Sequence, residues 1–381
     1  MLYYVSGATI PSRKAHTIQQ MRMCDAFAGA GIDVRFLHPN NRGPMDSISW
    51  STVSEYYDLA NRFGIKTVSS IGQSSTDASL VTTLSITGSL TARLALDCLT
   101  GRIDESDIVY GRDYYGMFLF NEFRKLLPDH RQPTVVFEHH DTISGHFKNR
   151  FFNTIDHCIC LSEALRDRNY LCFGEDPNRY SVAHHGVDMA PYQGLDERSA
   201  RERLDIPIEE TVIMYTGQLY PRKGVETLVT AGQELDAIVY VVGGYEEDID
   251  RIKCTQDVPE NVVFTGFIEP SEIPSYQVAA DILVAPYTTD DLELNSPLKI
   301  FEYLAAGKPI VASDRETVRE ILTDGENALL FQPGSTDALH DCLDHLLRDT
   351  EAATRLQSGA SSMADKFSYE QRAKRVLEII R

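Results

Sequence analysis

What most constrains the fold is a rhythm. Short apolar, β-prone runs end in glycine or polar residues, a helical stretch follows, and the cycle repeats. The first run covers 2–6. A loop with Gly7, Pro11 and Ser12 leads into a helix predicted over 15–28, which Gly29 and Gly31 punctuate. Further strands are expected at 32–37, 108–110, 134–138 and 157–161. Near residue 185 the rhythm restarts, with strands expected at 212–215, 238–242, 262–264, 282–285 and 310–312. Strands separated by helices imply parallel sheets covered on both faces. The expectation is α/β: two Rossmann-like, doubly wound domains facing a central cleft, over 1–185 and 186–368. A closing amphipathic helix over 369–381 is expected to pack back on the first domain. A length of 381 residues suits two domains at roughly 150 residues each. No short repeat suggests a solenoid.

Composition narrows the class. The chain is 43% apolar and 24% charged, which excludes disordered, collagen-like and coiled-coil readings. No run reaches the roughly 18 apolar residues that span a bilayer, and the first residues lack the basic start and apolar run of a signal peptide. A soluble, cytoplasmic chain is expected. Its seven cysteines are scattered, with no Cys-x-x-Cys, and read as reduced thiols, not a disulfide frame or a zinc site. Cys158 and Cys160, in the apolar run 155–161, read as buried strand thiols. The net charge of -20 is uneven. Residues 1–185 carry 18 basic and 20 acidic side chains, and 186–381 carry 18 and 36. So acidic a second half disfavours nucleic acid as a partner.

Against that background the run Tyr215-Thr216-Gly217-Gln218-Leu219-Tyr220-Pro221-Arg222-Lys223-Gly224 stands out. A strand ends, a loop turns, and two adjacent cations stand where a helix begins, an arrangement suited to phosphates. A solvated helix start is the plainer reading. In a second run, Ser296 is expected as N-cap and Pro297 as first helical residue, giving a helix over 297–306 that Gly307 and Pro309 stop. Leu298, Phe301 and Ala305 mark its inward face. Lys299 and Glu302 share another face, as an exposed ion pair or as a place where Glu302 receives vicinal hydroxyls. In a third, Val135-Val136-Phe137-Glu138-His139-His140-Asp141, polar side chains emerge at the carboxyl end of a strand, where α/β domains bind and transform ligands. A core histidine is the alternative. Gly243-Gly244 allows either a close backbone approach or a plain turn. The absence of Gly-x-x-x-x-Gly-Lys-Ser/Thr and of Gly-x-Gly-x-x-Gly disfavours an ATPase or a nicotinamide-dependent oxidoreductase.

Taken together, these stretches resemble the family 4 retaining glycosyltransferases of the GT-B fold. The loop Pro11-Ser12-Arg13-Lys14-Ala15-His16-Thr17, the strand end Phe137-Glu138-His139-His140-Asp141 and His185-Gly186-Val187-Asp188 support the resemblance by order and spacing. Gly217 through Gly224, and Ser296 through Gly307 followed by Lys308-Pro309-Ile310, carry it more specifically. The resemblance implies a nucleotide-diphosphate sugar donor held by the second domain. Arg222 and Lys223 would contact the diphosphate. Ser296, Pro297, Leu298 and Lys299 would lie beside it, and Glu302 would bind the ribose hydroxyls. Gly266 and Phe267 resemble the base-binding segment, and Gly7, Gly217 and Gly243 complete the donor set. His140 would contact the donor sugar near the reacting carbon.

The family's Glu-x7-Glu motif is incomplete here, because Leu294 stands where its first glutamate belongs. The implied chemistry is retaining transfer of a sugar to a glycan, lipid-linked or small-molecule acceptor, with no cofactor and no metal. Arg13, Lys14 and His16 are the acceptor-side candidates, and peripheral contact with the inner face of a membrane is an associated expectation. A nucleotide-sugar 2-epimerase and a catalytically silent sugar-nucleotide-binding subunit are the competing readings.

Overall fold

The computed structural model describes residues 1–40, 48–70, 80–140, 148–173, 176–288 and 296–380, with backbone only at 80–82. Asp141 and Leu294 lie outside the described residues. The chain divides into two compact units, Met1–His184 with Tyr369–Arg381, and His185–Ser368. The division falls one residue earlier than the sequence suggested, and the helix Tyr369–Ile380 belongs to the first unit.

The first unit is built on strands β1 (Leu2–Val5), β2 (Val34–Asn40), β3 (Gly64–Ser69), β4 (Ile108–Gly111), β5 (Thr134–His139), β6 (His157–Cys160) and β7 (Tyr180–Val182). They form one parallel sheet in the order β3-β2-β1-β4-β5-β6-β7. The second unit carries β8 (Val212–Thr216), β9 (Ile238–Val242), β10 (Val262–Gly266), β11 (Ile282–Ala285), β12 (Ile310–Ser313) and β13 (Leu329–Phe331). These pair in parallel as β10-β9-β8-β11-β12-β13. Each sheet is doubly wound. Winding reverses beside β1 in the first and beside β8 in the second, and such switch points open ligand crevices at the carboxyl ends of the strands.

Why these residues make such sheets is visible in the second unit. Every residue of β8, β11 and β12 is buried, as expected where helices cover both faces. Alternation then sorts the side chains. Ile213, Tyr215, Val239, Val241, Ile282, Val284 and Val311 enter one core. Val212, Met214, Val242, Leu283, Ala285, Ile310 and Ala312 enter the other. The three strands that the rhythm missed, β3, β7 and β13, are all at sheet edges. Two are only three residues long, and β3 leaves both its end residues exposed. Edge strands are short and less apolar, so they leave a weak sequence signal. Among the described residues no helix is long and apolar enough to cross a membrane.

Candidate functional site

In the second unit, glycines draw the strand ends together. Gly217 follows β8, and its N–H donates to the Val242 carbonyl at 2.9 Å. The Gly243 N–H donates to the carbonyl of Gly266, the last residue of β10, at 3.0 Å. A side chain at Gly243 would meet the Gly217 carbonyl oxygen at 2.6 Å, so only glycine lets these turns touch. Gly224 is still more constrained. Its φ is +71° and an added Cβ would lie 1.6 Å from the Pro286 carbonyl oxygen. The loop that carries Arg222 and Lys223 is therefore pressed against the turn after β11, at the switch point.

The cations follow from this geometry. Pro221–Lys223 forms a single 3-10 turn, with Gly224 left-handed before the short helix Val225–Ala231. Arg222 is exposed. Lys223 reaches over the Tyr287 ring, 5.3 Å from its centre, and burial, then Arg222, lowers its pKa. Lys299, from the helix Leu298–Ala306, places its ammonium 3.5 Å from the centre of the Tyr215 ring and 5.3 Å from that of Tyr287. It also lies beside Gly217, 3.5 Å from the position of an added Cβ. Lys299 Nζ is buried without a hydrogen-bond partner, as are Ser296 Oγ and Gln218 Oε1. Burial, and secondarily Lys223, pushes the Lys299 pKa well below that of an ordinary lysine. Buried polar atoms are normally satisfied. Two lysines thus meet on one tyrosine, with an unpartnered serine hydroxyl and an unpartnered amide oxygen beside them.

Several sequence expectations are corrected here. Ser296 is not the N-cap. Pro297 occupies that position without a side-chain cap, and the helix begins at Leu298. The packed face is Ile300, Phe301, Tyr303 and Leu304, while Leu298 and Ala305 are half-buried. The exposed Lys299–Glu302 pair does not occur, because Lys299 is buried against Tyr215. Glu302 instead accepts from Gln277 Nε2 at 3.2 Å. Gln277 also donates to Thr216 Oγ1 at 3.0 Å, and its carbonyl accepts from the Tyr192 hydroxyl at 2.6 Å. Burial raises the Glu302 pKa, against the Gln277 hydrogen bond and the nearby Lys299. Glu302 is thus tied to the end of β8 through a glutamine that no motif announced. Farther along the strand ends, Phe267 stacks parallel to Tyr245 with ring centres 5.9 Å apart. These rings are 51% and 52% exposed, an open aromatic platform next to Gly266.

The first unit presents a different arrangement at the end of β5. His140 Nε2 pairs with Glu138 Oε1, and the Tyr110 hydroxyl donates to Glu138 Oε2. Arg372, from the helix Tyr369–Ile380, donates to the same Oε2 at 3.1 Å and to the His184 carbonyl at 2.7 Å. Burial alone would raise the Glu138 pKa, but Arg372, then His140, hold it well below the usual carboxylate range. Burial pushes the His140 imidazole down to about 4 against the pull of Glu138, so the ring is neutral at pH 7 and donates from Nε2.

Gly7 follows β1. A side chain there would make only ordinary contact with Asp113 and Ile86, so sterics do not demand glycine. Lys14 caps the helix Ala15–Gly29 without a side-chain bond, and both Arg13 and Lys14 are exposed. Burial, then Arg112 and Lys14, lowers the His16 pKa. Arg112, with Nη1 buried and without a hydrogen-bond partner, also acts on His140. Its only sequence signal was its place just after a strand.

In the second unit, then, the structure brings Gly217, Lys223, Gly243, Gly266, Ser296, Lys299 and Glu302 to adjoining strand ends, with Arg222 and Phe267 exposed nearby. Tyr215 and Gln218, which the Tyr215–Gly224 run contained without a role of their own, join them, and so do Gln277 and Tyr287, which no motif contained. Comparison with known proteins gives the fold and a match over part of the second unit. The fold is GT-B, and residues 210–349 match the family described as glycosyl transferases group 1. The chain is 17% identical to the sucrose-phosphate synthase of Thermosynechococcus elongatus, with a TM-score of 0.77 over 99% of this chain and 97% of that one. It is 16% identical to Anabaena HepE, solved in complex with UDP, with a TM-score of 0.71 over 99% and 98%. Among curated proteins it is similar to the D-inositol 3-phosphate glycosyltransferase of Nocardioides sp., 26% identical over 232 residues, covering 55% of this chain and 50% of the relative. The corresponding protein of Rhodococcus jostii is 26% identical over 223 residues, covering 55% and 48%. The chain spans about half the length of the curated relatives it matches.

Proposed function

We propose that this chain is a retaining glycosyltransferase that moves a sugar from a nucleotide-diphosphate sugar to a glycan, lipid-linked or small-molecule acceptor without a catalytic metal. The observation that carries the reading is the buried, unpartnered ammonium of Lys299, which shares Tyr287 with Lys223. Breaking the bond between the sugar and the diphosphate leaves negative charge on the departing phosphate. Lys299, Lys223 and Arg222 stabilise that charge as it develops, and the Ser296 hydroxyl donates to a phosphate oxygen. Glu302, oriented by Gln277, accepts from the ribose hydroxyls. The Tyr245–Phe267 platform and the Gly266 backbone receive the base. His140, neutral and held by Glu138, is assigned to the donor sugar. If configuration is retained, the departing phosphate oxygen takes the acceptor proton on the same face.

The acceptor is assigned to Arg13, Lys14 and His16. Exposed cations of this kind suit a phosphorylated or otherwise anionic acceptor, in keeping with the inositol phosphate in the names of the curated relatives. We further place the enzyme in the cytoplasm, with its acceptor at the inner face of a membrane when that acceptor is lipid-linked.

The test is nucleotide binding by calorimetry, with UDP, GDP and ADP compared. Arg222→Ala and Lys223→Ala should each weaken binding of the preferred diphosphate, and the double variant should weaken turnover by about 10²–10³. Unchanged affinity in both variants overturns the phosphate assignment. Incubation with UDP-N-acetylglucosamine and no acceptor separates transfer from epimerisation, since only an epimerase converts the donor alone.

A further inference from the structure

A second cluster, apart from everything used above, lies within the first unit. Cys158 and Cys160 are two apart on β6 and therefore share one face of the sheet. His139, on β5, pairs in register with Cys160. Asn169, from the helix Glu163–Phe173, completes the group, its amide nitrogen 2.5 Å from His139 Nδ1 and 3.5 Å from Cys160 Sγ. All four residues are buried. The potential ligand atoms of His139, Cys158 and Cys160 lie within 4.8 Å of one another.

We propose that these residues form a zinc site. The sulfur spacing is the first argument. Two thiolates at about 2.3 Å from a tetrahedral zinc stand about 3.8 Å apart, and Cys158 Sγ and Cys160 Sγ are 3.8 Å apart. The imidazole is the second. His139 Nε2 is buried with no hydrogen-bond partner, in a wall formed with Phe137 and Phe152. An unsatisfied ring nitrogen in such surroundings destabilises the fold, and ligation through Nε2 removes that cost once a half-turn of the Asn169 amide lets its oxygen accept from Nδ1–H. Charge is the third. Zn²⁺ with two thiolates and a neutral imidazole has no net charge, so the assembled site can be buried where its separate parts could not. The fourth position falls to a neutral water, which leaves that charge balance unchanged. Binding releases two thiol protons to solvent and changes no oxidation state. Because the site is enclosed, the metal enters as the first unit folds.

The experiment uses the full chain, dialysed against EDTA and then unfolded in guanidinium with a chromophoric zinc indicator. One zinc per chain should appear on unfolding and none before. Protein refolded with Co²⁺ should show thiolate-to-cobalt charge-transfer absorption. The His139→Phe/Cys160→Val double variant should lose both signals. Three outcomes overturn the proposal: a chain that takes up neither zinc nor cobalt on refolding, zinc retained by the variant, or copper in place of zinc. If the variant does not fold, the cobalt spectrum and unfolding-coupled release of the unaltered chain decide.

Discussion

The ends of β8 and β11 in the second unit and the end of β5 in the first are solved in opposite ways. At β5 the charges answer one another. Glu138 has Tyr110, His140 and Arg372 around a single carboxylate. At β8 and β11 they do not. Two lysines share aromatic faces, and the ammonium of Lys299 has no hydrogen-bond partner. One arrangement is complete and serves to hold a histidine. The other leaves buried polar atoms unpartnered, and on the proposed reading an anion completes it. A fully paired network fixes a side chain's position, whereas an unpartnered buried polar group leaves a hydrogen-bonding demand unmet.

The largest effect is expected from breaking the paired network. Arg372→Met leaves a buried carboxylate without its cation and should cost about 3–5 kcal/mol, read as an earlier denaturant midpoint for the first unit. A variant as stable as the parent would show that Glu138 does not depend on the C-terminal helix. Next, Gly224→Ala forces a Cβ onto the Pro286 carbonyl at a left-handed φ and should cost upwards of about 2 kcal/mol. It should also displace Lys223, so chemical denaturation and UDP titration should both report it.

Lys299→Met sharpens the contrast, because stability and binding should move in opposite directions. Removing a desolvated ammonium should leave the melting temperature unchanged or higher, while nucleotide affinity falls roughly 10- to 100-fold, as expected for a lost charged hydrogen bond. Loss of stability with affinity retained would make Lys299 a packing residue.

The smallest effect is the pH response of the paired network. The folded-state pKa of His140 lies below its ordinary 6.5, at about 4. Its contribution to stability is therefore present above pH 6.5 and lost as pH falls toward 4. Glu138, also lowered, adds a loss in the acidic range below that. Acid unfolding of His140→Phe should lack the upper part of this dependence, and an identical profile would remove His140 from the network.

Much of this was legible from local signals. The alternation of apolar runs and helices specified two parallel sheets because both requirements, buried strands and a 3.6-residue helical face, act over a few neighbouring residues. Glycines beside Arg222 and Lys223 marked the turn between β8 and the following helix because turn chemistry is also local. The Ser296 N-cap was misread because Ser-Pro before an apolar run has the same local pattern whether or not the serine turns into the site. Gln277 left no trace, since one glutamine in a helix looks like any other until Thr216, Tyr192 and Glu302 converge on it.

From its sequence alone, then, this protein's α/β class, its two sheets and the loops at their carboxyl ends were determined, because periodicity and glycine placement are properties of short segments. The pairing of charges was decided only in three dimensions. Glu138 meets Arg372 across 234 residues, and His139 comes to Cys158 and Cys160 from a different strand. Whether a cation is solvated, paired or stranded depends on what the folded chain packs around it, and the enclosing residues come from several elements at once.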